Sequence, residues 1–194
     1  MNIDKQDNKM LTRRGFLGGA LKTTAGVAGG LILPATVAKP VFAAGHSGAH
    51  MVSFRNLHTG ESFNGVYRVG DKYLPDSFDR INKVLRDFRT GEVFPMDPRI
   101  IDLLYAINRE VDRNGFFEIL SGYRSPKTNK MLQKATTGVA KNSLHMSGQA
   151  MDIRYPSFNS YKLRDIAQSM RAGGVGYYKG SNFVHVDTGQ IRYW

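Results

Sequence analysis

The residues best suited to chemistry lie in two short stretches, Ser143-Leu-His145-Met-Ser-Gly148-Gln-Ala-Met-Asp152 and Phe183-Val-His185-Val-Asp187. Gln149–Arg154 alternates as a strand, so Ala150, Asp152 and Arg154 share one face while Met151 and Ile153 point to the other. In Phe183–Asp187 the same alternation puts Val184 and Val186 on one side and Phe183, His185 and Asp187 on the other. Gly148 allows a close turn that carries His145 back over Asp152. If the two strands are neighbours, His145, Asp152 and His185 meet. Two imidazoles and a carboxylate form a three-ligand set for zinc that leaves a fourth position for water, and metal-bound water has a pKa of about 7. On spacing alone, an ordinary hydrogen-bonded His–Asp pair explains the same residues.

The elements that must position these groups are legible. Met51–Leu57 and Ser62–Val69 are strand-like, joined by the hairpin signal His58-Thr-Gly-Glu61, and His58 reads as a structural or exposed turn residue. Helical spacing of apolar residues runs from Pro75 to about Phe88, and again from the cap Asp97-Pro98 to Asn114-Gly115. Phe116–Leu120 reads as a buried strand leading into Ser121-Gly-Tyr-Arg124-Ser-Pro126, with a short helix from Pro126 to about Lys134. Thr136–Asn142 reads as loop and Tyr161–Met170 as amphipathic helix. Val175–Tyr178 and Phe183–Asp187 form a last hairpin. The sum is a small α+β domain, with helices packed on an antiparallel sheet.

The 194 residues allow one ordinary domain, and none is cysteine, which excludes disulfides, thiolate metal sites and a cysteine nucleophile. The N-terminus reads as an address. Thr12-Arg13-Arg14-Gly-Phe-Leu17 precedes a Gly- and Ala-rich apolar stretch and then Val41-Phe-Ala43-Ala44, the pattern of a secretory signal. The paired arginines resemble a twin-arginine signal, so residues 1–43 are expected to engage the twin-arginine export machinery and be removed, with the mature protein in the periplasm. Lys22 and the glycines weaken a spanning helix, and no stable membrane span is expected after processing. Residues 44–50, with His46 and His50, read as a flexible lead-in, and residues 51–194 as the working domain.

The formal charge is +11, and outside residues 1–43 there remain 21 basic residues against 14 acidic. This favours an acidic partner. No basic run follows residue 43, which argues against nucleic acid.

Ser-Gly-Tyr-Arg-Ser at 121–125, Ser-x-His-x-x-Gly-x-Ala-x-Asp at 143–152 and Asn-Phe-Val-His-Val-Asp-Thr-Gly at 182–189 resemble the three signature blocks of the zinc D,D- and L,D-peptidases of the bacterial cell wall. That superfamily includes D-alanyl-D-alanine carboxypeptidases and shares its metal cradle with the hedgehog signalling domain. Asn56–Ser62 and Arg171–Tyr178 extend the likeness to murein endopeptidases over nearly the whole mature chain.

The resemblance implies a hedgehog-like fold and one Zn2+ held by His145, Asp152 and His185. It implies Arg124 on the scissile carbonyl or a neighbouring carboxylate, and Ser143 in contact with substrate. The implied substrate is peptidoglycan, at cross-links between two meso-diaminopimelate residues. Relatives carry a basic Glu or His three or two residues before the last histidine. Here those places hold Asn182 and Phe183, leaving Asp187 either to serve as base or to orient a histidine. Two alternatives follow: a D,D- or L,D-carboxypeptidase trimming stem peptides, and a zinc-containing wall-binding domain without catalysis.

Overall fold

The computed structural model describes residues 48–111, 115–136, 138–156 and 158–194. The export signal, His46 and the expected helix end at Asn114 lie outside these residues. Eight strands form one sheet in the order β3-β2-β1-β4-β5-β7-β6-β8. In chain order these are β1 (Ala49–Asn56), β2 (Ser62–Val69), β3 (Lys72–Tyr73), β4 (Phe117–Ser121), β5 (Ala150–Arg154), β6 (Gly174–Tyr178), β7 (Phe183–Asp187) and β8 (Arg192–Tyr193). The helices are α1 (Pro75–Val84), α2 (Pro98–Val111), α3 (Pro126–Ala135) and α4 (Ser160–Ser169). No helix among the described residues is long and apolar enough to cross a membrane.

The α+β class holds, but the sheet is mixed where an antiparallel one was expected. β1 runs parallel to β4, and β6 parallel to β8. The long α1–α2 excursion between β2 and β4 provides the crossover that parallel pairing requires. β1 also begins at Ala49, inside the expected lead-in, because His50 is held in place: its Nδ1 accepts from Arg68 Nε at 2.8 Å, and its ring stacks on Tyr105. The first helix ends at Val84 and stops short of Phe88. Asp87 takes over there, its Oδ1 accepting from the backbone of Arg89 and Thr90 and turning the chain.

One apolar core joins α2 (Ile100, Ile101, Leu104, Ile107) to Val52 and Phe54 of β1, Ile119 of β4, Met151 and Ile153 of β5, and Val184 and Val186 of β7. Each fully buried aliphatic side chain of this size contributes about 1.5–3 kcal/mol. Period-2 alternation then obliges Asp152 and His185 to leave the core side. Packing of the valines, isoleucine and methionine therefore fixes which way the polar residues face. A one-residue slip would exchange them.

Candidate metal centre

β5 and β7 pair antiparallel with Asp152 directly opposite His185. His145 arrives from the other side on a short 3-10 turn, Leu144–Ser147, which ends at Gly148 in the left-handed region (φ 67°). A side chain at Gly148 would collide with the Pro95 carbonyl, so the turn is open to glycine on two counts. The three residues are buried, and each offers one donor atom such that all three atoms lie within 4.8 Å of one another.

Each imidazole is held from behind. His145 Nδ1 lies 2.8 Å from the Gly122 carbonyl. A carbonyl only accepts, so Nδ1 donates there, and Nε2 is the atom turned toward Asp152 Oδ1, 3.4 Å away. His185 Nε2 lies 3.1 Å from Asp187 Oδ2, and Nδ1 lies 2.9 Å from Asp152 Oδ1. Burial raises the Asp152 carboxyl, but His145 and His185 outweigh it and hold the group far below the usual carboxylate range. Burial lowers His185, yet hydrogen bonds to Asp152 and Asp187 leave it net raised. Both imidazoles thus turn one ring nitrogen to the same carboxylate oxygen. Such an arrangement fits a cation between them.

Asp187 is fully buried and closed. Its Oδ1 accepts from Gly174 N (2.9 Å), Gly189 N (2.9 Å) and Arg192 Nη1 (3.2 Å), while Oδ2 accepts from Arg192 Nη2 (2.7 Å) and faces His185. Burial raises it, and these partners bring it far below the ordinary range. With no exposed oxygen it is poorly suited to take a proton from substrate water. Gly174 permits this approach, since a Cβ there would collide with Asp187 and Arg192.

Arg124 follows β4, and its backbone N–H donates to the His145 carbonyl at 3.1 Å, which ties the two motifs together. Its guanidinium reaches Asp152 Oδ2 at 3.5 Å, Ser121 Oγ at 3.3 Å and Asn129 Oδ1 at 3.5 Å. These contacts are long, and the buried Nε has no partner. A buried donor left unmade costs about 1–3 kcal/mol, and the long Nη contacts leave those atoms with capacity for an incoming oxygen. Ser143 precedes the His145 turn in an extended conformation, and its side chain makes no cap bond. Asn182 Oδ1 accepts from Ser160 Oγ at 2.5 Å, and Phe183 stacks on Tyr178. Neither an amide nor a phenyl ring at these two positions can take a proton from water.

Sequence reasoning missed three contributors. The Gly122 carbonyl and Arg192 support His145 and Asp187. Trp194, the sole tryptophan, brings its ring centroid within 5.4 Å of His185, with its Nε1 donating to Tyr178 OH at 3.1 Å. A backbone carbonyl leaves no mark in the sequence. A lone tryptophan two residues after an arginine could have been noticed.

Two imidazoles and a carboxylate form a group that could hold a metal ion, with a weakly engaged guanidinium beside it. Comparisons with known proteins narrow the class. A family model described as peptidoglycan L,D-endopeptidase MepK matches residues 45–194. A probable peptidoglycan L,D-endopeptidase MepK of Haemophilus influenzae is 41% identical over 145 residues, covering 74% of this chain and 78% of that protein. The peptidoglycan L,D-endopeptidase MepK of Escherichia coli K12 is 41% identical over 144 residues, covering 74% of this chain and 79% of the relative. The chain belongs to the MepK family of hydrolytic peptidases.

Proposed function

We propose that the protein is an exported zinc endopeptidase of the periplasm that hydrolyses peptidoglycan cross-links, at bonds between two meso-diaminopimelate residues. The observation that carries this reading is the convergence of His145, Asp152 and His185, one donor atom each, within 4.8 Å. The family and its relatives support the substrate class, and the Arg13-Arg14 leader supports a twin-arginine route.

In this reading His145, Asp152 and His185 hold the ion. When bound, it supplies Lewis acidity at the scissile carbonyl and acidifies water to a pKa of about 7. The Gly122 carbonyl fixes the tautomer of His145, and Asp187 fixes the ring of His185. Arg124 receives the developing oxyanion or an adjacent carboxylate through its weakly engaged Nη atoms. Ser143, with its side chain uncommitted at the turn, contacts the substrate backbone.

Digestion of purified cross-linked muropeptides with the zinc-loaded protein, followed by product analysis, tests the assignment. Loss of cross-linked dimers with release of monomers is expected. Release of terminal D-alanine alone would establish a carboxypeptidase, and binding without any product would establish a wall-binding domain.

A further inference from the structure

A cleft of about 410 Å³ is lined by Arg89, Thr90, Lys127, Thr128 and Met131. One wall is the loop after α1, and the other is the first two turns of α3. Asp87 ties the walls together. It accepts from the Arg89 and Thr90 backbones on one side, and from the Ser125 backbone (2.9 Å) and hydroxyl (2.6 Å) on the other. Burial raises the Asp87 carboxyl, but the Ser125 and Thr128 hydroxyls and these amides bring it down to about 2.

The cations of the cleft, by contrast, are unspent. Among the described residues neither Arg89 nor Lys127 has a carboxylate partner. Arg89 is held by stacking its guanidinium 4.2 Å over the Phe88 ring, and Phe88 is itself stacked on His58. A cation fixed in this way loses less freedom on binding than a loose one. The nearby Glu92 is engaged elsewhere, by the Tyr123 hydroxyl at 2.6 Å. Arg124 links the two regions through the chain: its guanidinium lies 3.5 Å from Asp152, and its neighbour Ser125 caps the helix that forms the cleft wall. Arg89 is close enough to Arg124 to oppose its charge, as burial also does.

Arg89 and Lys127 provide two positive charges, the exposed Thr90 provides a hydroxyl, and the half-exposed Met131 adds an apolar surface, while the Thr128 hydroxyl is spent on Asp87. Together they match a short aliphatic segment that ends in a carboxylate. We infer that this cleft is a carboxylate-binding subsite for the peptide on one side of the scissile bond, with Arg89 and Lys127 as its specificity-determining residues. The inference rests on the peptidase reading for the meaning of "scissile bond", but not for the binding itself.

The test compares the zinc-loaded wild type with an Arg89→Ala/Lys127→Ala double variant, both distant from the metal-holding residues in role. A meso-diaminopimelate-containing stem tripeptide and its carboxyl-amidated counterpart are titrated calorimetrically, and KM and kcat are measured on cross-linked muropeptide. The expected result is a Kd for the tripeptide about fivefold weaker in the variant, with a similar loss for the amidated peptide on wild type. KM should rise in parallel, with kcat within about twofold. Equal Kd values for both proteins, or no binding of the tripeptide to wild type, would overturn the subsite. Wild-type binding that depends on Arg89 and Lys127, without cleavage of muropeptide, would uphold the subsite and defeat the peptidase reading.

Discussion

Two polar clusters in this domain use the same residue types to opposite ends. In the first, Asp102 accepts from Tyr67 OH (2.7 Å), Tyr73 OH (2.6 Å) and Arg68 Nη1 (3.0 Å), and Arg68 Nε donates to His50 Nδ1. Burial and then Asp102 push the Tyr67 hydroxyl upward, which keeps it a donor throughout the ordinary pH range. In the second, Asp152 meets two imidazoles and a guanidinium: His145 Nε2 and His185 Nδ1 both turn to Asp152 Oδ1, and Arg124 Nε meets nothing. The first cluster is a chain of paired contacts running from His50 through Arg68 to Asp102. The second gathers three potential metal-binding atoms about one point. What separates a binding site from a structural network here is that convergence, since His, Asp and Arg are common to both.

The sharpest way to break that contrast is to remove the two aspartates in turn. Asp152→Ala should lower cleavage of cross-linked muropeptide by roughly a thousandfold or more, with far-UV circular dichroism unchanged. Asp102→Asn should leave kcat within about twofold and lower stability by about 1–3 kcal/mol in urea titration. Reversed outcomes would end the comparison.

Arg124→Ala should reduce kcat by about 10²- to 10³-fold with a smaller change in KM, the signature of an interaction made in the transition state. Arg124→Lys should recover only part of this, because a point charge cannot reproduce the forked donors. For Asp187→Asn the expected loss is about 10- to 100-fold in metal affinity or turnover. Metal titration monitored by competition with a chromophoric chelator measures it.

Asp87 is of the paired kind and supplies the smallest effect. Its folded pKa of about 2 lies below the ordinary aspartate value of about 3.9. Its contribution is therefore present above about pH 4 and disappears as pH falls through 2, and it amounts to about 2 kcal/mol. Asp87→Asn should be less stable than wild type by about that amount at pH 7, with the gap closing on acidification. Urea titrations at several pH values test this.

Much of the second cluster was readable because strand alternation is a strong constraint. Met151, Ile153, Val184 and Val186 had to face the core, so Asp152 and His185 had to share the other side, and the observed register sets them directly opposite. The glycine at 148 signalled the turn that returns His145. What could not be read depends on partners without a local pattern. The Gly122 carbonyl behind His145 is a backbone atom, and the contact of Asp187 with Arg192 and Gly174 is set by tertiary packing. β8 is two residues long and too short for any period. The parallel β1–β4 pairing follows from where the α1–α2 excursion returns the chain, and no residue in either strand announces it. The early end of α1 reflects Asp87, whose side chain outcompetes the helix for the backbone of Arg89 and Thr90.

Zinc stoichiometry, measured by elemental mass spectrometry on purified wild type and Asp152→Ala alongside muropeptide cleavage by the same samples, bears most directly on the role given to His145, Asp152 and His185. One zinc per wild-type chain is predicted, lost together with cleavage in the variant while the fold persists. A variant that keeps its zinc and cuts cross-links at the wild-type rate would contradict the account.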